Sequence, residues 1–168
     1  MKRFLTTIAL LSVVFIPQSL IALDSVDGET QAKETTLEQY ILTYTEKFGS
    51  DPDVVYSVMM CESRGKWVQG DMRGGVPHSF GQFQFFTETW NRYAKLYRET
   101  FGVSDEFDIR SAHDQIKLTS FVFSLSESNK NEWTSYRSIN NGGTITLYSK
   151  FHKRYFTISC PLIKIPRQ

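Results

Sequence analysis

Apolar positions recur at helical spacing along most of this chain and alternate with polar ones in a single short stretch. In TTLEQYILTYTEKFG, residues 35–49, Leu37, Tyr40, Ile41, Tyr44 and Phe48 share one face. Thr36 and Gln39 form a capping-box pair at its start, and Gly49 ends it. SDPDVVYSVMMCES, residues 50–63, predicts a second helix, with Asp51 as cap and Pro52 in the first turn. Val54, Val55, Val58, Met59 and Cys61 give it a broad apolar face, so it should be largely buried, and Glu62 falls on its last turn. The Gly-rich run 64–78 reads as a loop. SFGQFQFF, residues 79–86, alternates polar and aromatic side chains and predicts a short strand or irregular hairpin arm.

Helical spacing then returns. In TETWNRYAKLY, Thr87 is the expected cap, and Trp90, Tyr93, Ala94 and Tyr97 share a face. FDIRSAHDQIKLTSFVFSL points Ile109, Ala112, Ile116 and Phe123 inward. NEWTSYRSI predicts a short helix stopped by NNGG, and TITLYSKFHKRYF is read as one more helix. Pro161 and Pro166 mark residues 158–168 as a tail. No repeat and no second domain stand out. The pattern predicts a compact, mainly α domain over 36–157 with one small β element between its second and third helices.

The N-terminus changes the setting. Lys2 and Arg3 precede an apolar run from Phe4 to Ile16, followed by Pro17 and small or polar residues, the order of a secretory signal peptide spanning 1–22. An uncleaved membrane anchor is the rival, because Phe4 to Leu23 is about the ~20 residues that a bilayer requires. Either reading exports the protein, to a periplasm, cell envelope or extracellular space. Residues 23–35 are polar and unpatterned, a linker.

Net charge is +1 at pH 7, which gives no general attraction to nucleic acid. The charge is uneven, however. No acid follows Glu132, whereas Arg137, Lys150, Lys153, Arg154, Lys164 and Arg167 are basic. This is either a solvated basic face or a contact for an anionic envelope polymer or membrane surface. The two cysteines, Cys61 and Cys160, can pair in an oxidising compartment. The alternative leaves Cys61 as a small buried apolar residue.

The histidines, His78, His113 and His152, lie far apart, and no paired Cys motif or H-E-x-x-H occurs, so no metal or other cofactor is expected. A Cys–His nucleophile fits poorly, since Cys61 lies near the negative end of its helix, which raises thiol pKa. Glu62 is the candidate worth most. A general acid for glycosidic cleavage needs a poorly solvated carboxyl, and a helix C-terminus also disfavours its ionised form. The plainer reading is a solvated glutamate ending a helix.

The order of motifs weighs against that plainer reading. Glu62-Ser63, then Ser79-Phe80-Gly81-Gln82-Phe83-Gln84-Phe85, then Thr89-Trp90, then Ser138-Ile139-Asn140-Asn141-Gly142 together resemble the soluble lytic transglycosylase (SLT) family, over residues 37–156. The resemblance implies a lysozyme-like single domain with a small β-hairpin arm at the cleft. It implies Glu62 as general acid/base, Ser63 orienting its carboxyl, Ser79, Phe83 and Gln84 lining the sugar groove, and Asn140 as a polar contact. Gln82 and Phe83 replace the family's Leu-Met. Ile139 replaces its tyrosine, for which Tyr136 one turn earlier is the expected substitute. Each residue also has a plainer role: Gln84 an exposed strand residue, Phe83, Phe85 and Trp90 core, Asn140 a helix cap, Ser79 a turn residue.

The implied partner is the peptidoglycan glycan strand. The implied reaction is non-hydrolytic cleavage between N-acetylmuramic acid and N-acetylglucosamine to a 1,6-anhydro-muramyl product. A hydrolytic muramidase of the goose-type-lysozyme kind is the alternative on the same fold, with Asp71 placing a water. A non-catalytic cell-wall-binding or assembly protein is the third reading, favoured by the altered arm and by Ile139.

Overall fold

The computed structural model describes residues 35–71, 75–149 and 152–167. The signal-peptide or anchor segment and nearly all of the linker lie outside the described residues. Glu34–Gln168 forms one unit.

The first two predicted helices form where their caps direct. Helix α1, Leu37–Phe48, carries the full capping box: the Gln39 N–H donates to Thr36 Oγ1, and the Thr36 N–H donates to Gln39 Oε1. Helix α2, Pro52–Ser63, starts under the Asp51 carboxylate and stops at Arg64, whose φ of 57° is left-handed. A three-stranded antiparallel arm follows: β1, Gln69–Gly70, β2, Ser79–Phe80, and β3, Phe85–Phe86, in the order β1-β2-β3; β1 lies inside the stretch 64–78 read as a loop, since two residues become a strand only by pairing with β2. Helix α3, Thr87–Phe101, has Thr87 inside its first turn. Its N-cap is Phe86, without a side-chain cap bond, so the expected cap is displaced by one residue. Helix α4, Ala112–Leu125, is capped by Ser111, which leaves Ile109 outside it. The short α5, Glu127–Lys130, and α6, Thr134–Asn140, complete a mainly α body.

The core forms around α4, which buries Ile116, Leu118, Phe121, Val122 and Phe123. One aromatic cluster, Phe48, Tyr97, Phe101 and Phe121, joins α1, α3 and α4 through edge and tilted contacts. A second, Phe85, Trp90, Trp133 and Phe123, joins the β arm to the helices. Trp90 is thus core, the plainer of its two readings.

The structure corrects two C-terminal expectations. TITLYSKFHKRYF is not a helix. It holds β4, Thr144–Ser149, and the start of β5, Arg154–Ser159, paired antiparallel as a hairpin. Thr144, Ile145, Thr146 and Tyr148 favour a pleated strand, and Gly142 and Gly143, both at positive φ, end α6 before it. Nor do the residues after Ser159 hang free. Cys160 and Ile165 are buried. The Ile165 N–H donates to Asp53 Oδ1 at 3.0 Å, Lys164 pairs with Asp53 Oδ2 at 2.6 Å, and the Ile163 N–H donates to Ser57 Oγ at 2.7 Å. A C-terminal strap therefore lies along α2, the helix that carries Glu62.

Candidate functional site

The end of α2 is fixed from several sides. The Arg64 N–H donates to the Met60 carbonyl, and the chain then turns away through Gly65. The Cys61–Cys160 disulfide, with Cα atoms 5.9 Å apart, ties the last turn to the end of β5. Glu62 thereby faces a cavity of about 460 Å³. The β arm supplies one wall through Ser79, Gln84, Phe85 and Phe86. Trp133, Thr134 and Ser135 supply another, and Ile158 and Ser159 of β5 close a third side. A neighbouring hollow of about 530 Å³ over Val76, Pro77 and His78 shares Phe86 and Thr89 with it.

Glu62 is set up as a weak acid. Burial among these walls pushes its carboxyl above the ordinary glutamate range, and the Ser135 hydroxyl and backbone N–H pull it back in part. The Ser135 Oγ donates to Glu62 Oε1 at 2.6 Å, fixing which way the carboxyl points. Ser135 lies in the first turn of α6 and is itself buried.

The expected residues divide. Ser79 and Gln84 do line the cavity. Their side chains bond each other at 2.8 Å, and Gln84 Nε2 also donates to the carbonyls of Val68 and Gly81. Gln84 therefore shapes the arm from within, at a left-handed φ of 51°. The Ser63 hydroxyl donates to the carbonyls of Gln82 and Met59, so it fastens α2 to the arm, while Ser135 makes the side-chain bond to Glu62. Phe83 does not line a groove. It is fully buried, its N–H bonded to Gln115 Oε1 and its carbonyl to Trp133 Nε1. Tyr136 is not among the lining residues either. It is buried, stacks edge-on with Phe123 and bonds the Glu127 carboxylate, which with burial pushes its phenol up to about 12. Asn140 is exposed at the end of α6 and is not among the lining residues.

Two carboxylates besides Glu62 line the cavity: Asp71, at a φ of 45°, and Glu132. Glu132 was not expected. It is held by Arg92 at 2.5 and 2.6 Å and by the Tyr93 hydroxyl at 2.7 Å, which fixes it at the rim. Neither it nor Ser135 carries a sequence signal, because each depends on where α6 docks. Among the described residues, no three His, Cys, Asp or Glu side chains group as a metal site would require.

No protein-family model, curated protein or solved structure significantly matches this chain. The functional reading rests on this cavity and on the motif order.

Proposed function

We propose that this protein is a lysozyme-like peptidoglycan lytic transglycosylase, exported to the cell envelope, with Glu62 as its general acid/base. The observation that carries the reading is Glu62 itself: a carboxyl with raised pKa, oriented by Ser135, opening on a cavity large enough for a sugar unit. Glu62 protonates the oxygen bridging N-acetylmuramic acid and N-acetylglucosamine, and that bond breaks. The resulting carboxylate takes the proton of the muramyl 6-hydroxyl, whose oxygen closes on the anomeric carbon as the 1,6-anhydro ring. The acid ends as it began, and no water is consumed.

Purified cell wall, digested and read by product mass, tests this. The wild type releases anhydro-muropeptides, and Glu62→Gln loses on the order of 10²–10⁴ in rate. Equal release by the mutant would falsify the proposal. Asp71 and Glu132 at the same cavity favour a second reading, a hydrolytic muramidase in which one of them positions a water. Products heavier by one water, with activity lost in Asp71→Asn or Glu132→Gln, would establish it. Wall pull-down without turnover would instead mark a binding protein.

A further inference from the structure

The hairpin β4–β5 has one face that the body does not use. Its register pairs Thr144 with Ser159, Thr146 with Thr157 and Tyr148 with Tyr155, so these six side chains lie on the same side. All six are exposed, Tyr155 by 73% and Tyr148 by 51%. The two rings sit together with centroids 5.1 Å apart, and Thr146 Oγ1 and Thr157 Oγ1 are 3.2 Å apart. The opposite face carries the partly buried Ile145, Leu147 and Ile158 near the body, with Phe156 and Arg154 exposed toward the outer end.

This face begins at the cavity, because Ser159 lines it beside Glu62. From Ser159 to Tyr155 the strand rises about 13 Å, roughly the reach of one further disaccharide. Its base is rigid. Cys160 is bonded to Cys61, the Cys160 N–H donates to the Gly143 carbonyl at 2.8 Å, and Ser138 Oγ donates to the Ile158 carbonyl. A lone two-stranded hairpin is marginal in water, so one held this firmly with solvated tyrosines is built for something outside the fold. Hydroxyls that can each donate and accept, followed by aromatic faces, suit a polyhydroxylated strand. Lys153, exposed in the turn at the outer end with no acid in the segment, suits a ligand bearing carboxylates.

We infer that the Thr144–Ser159, Thr146–Thr157 and Tyr148–Tyr155 face is a glycan track. It continues the cavity outward and binds the next sugars of an anionic amino-sugar strand. The inference deepens the proposed function and rests on it for the identity of the strand. Tyr148 and Tyr155 stack on sugar rings, the hydroxyls contact their polar edges, and Lys153 in the turn meets the carboxylates.

The test uses the full chain carrying Glu62→Gln. It is titrated with β-1,4-linked N-acetylglucosamine oligomers of graded length and sedimented with purified cell-wall sacculi, with and without Tyr148→Ala and Tyr155→Ala together. The expected result is affinity that rises with oligomer length. The double variant weakens long oligomers and sacculi about tenfold and leaves the shortest unaffected, while the Tyr148→Phe, Tyr155→Phe pair retains binding. Equal affinities at every length overturn the track, as does a concentration-dependent dimer that masks the two tyrosines. Turnover of sacculi by the unmodified protein separates the two ideas. Turnover with hairpin-independent binding removes the track alone. Hairpin-dependent binding without turnover removes the transglycosylase reading and leaves the track.

Discussion

At the scale of single residues, the Glu62 carboxyl is governed by a contest between burial and one serine, Ser135, through its hydroxyl and N–H. Burial disfavours its charge, whereas Ser135 stabilises that charge. Ser135→Ala removes the hydroxyl's share of that stabilisation, leaves the backbone N–H, and raises the Glu62 pKa further. The alkaline limb of the activity profile should then move to higher pH, along with any loss of rate from the freed carboxyl. A merely structural role for Ser135 would lower activity without moving the limb. The same contest predicts a stability effect. Above pH ~4.3 an unfolded glutamate ionises, but the folded Glu62 holds its proton until its raised pKa is passed. The native state loses stability over that interval. Glu62→Gln should therefore raise Tm at neutral pH and leave it unchanged well below the unfolded pKa, as measured by thermal scans at both.

At the scale of elements, the β arm is positioned by a close approach that only glycine allows. Gly81 has a φ of 78°, and a Cβ there would lie 1.6 Å from Gln115 Nε2. Gln115 is fully buried on α4, accepting from the Phe83 N–H and donating to the Ile109 carbonyl. Gly81→Ala must strain the turn and displace that amide, costing about 2–4 kcal/mol in urea unfolding. Proteolysis of the arm should rise with it. The hairpin β4–β5 is the element that the sequence pattern misread. Its β-branched Thr and Ile residues carried the strand signal, but the apolar spacing over 144–156 also fits a helix. Only cross-strand pairing with residues 154–159 decides between them.

At the scale of the whole molecule, the C-terminal strap and the disulfide hold the helix of Glu62 from behind. The bridge spans a sequence separation of 99. Replacing Cys61 and Cys160 with Ala, or reducing the bridge, should cost about 3–5 kcal/mol on the chain-entropy account, read as a shift in denaturant midpoint. Asp53 is the strap's other anchor. Its hydrogen bond from Lys164, then that from the Ile165 N–H, holds its carboxyl below the usual aspartate range. That stability is present above pH ~3.9 and is lost as pH falls through the lower folded pKa. Asp53→Ala should cost about 1–2 kcal/mol in unfolding at neutral pH, most of it from the orphaned Ile165 N–H, because Lys164 is solvated. Only the charge-dependent part of that loss should disappear at acid pH, because a protonated Asp53 still accepts from the Ile165 N–H.

What the sequence by itself determined is local. Caps, apolar spacing and Gly positions specified α1, α2, α4 and the 79–86 part of the β arm, because each depends on neighbours within a turn or two. Glu62 stood out for the same reason, at the end of a buried helix. Tertiary structure decided everything that needs two distant segments to meet. It brought Ser135 and Glu132 to the cavity, sank Phe83 and Tyr136 into the body and folded 160–165 against α2. A side chain's partners across the fold depend on how helices dock, and docking is set by the summed packing of the core, which no single window of sequence contains.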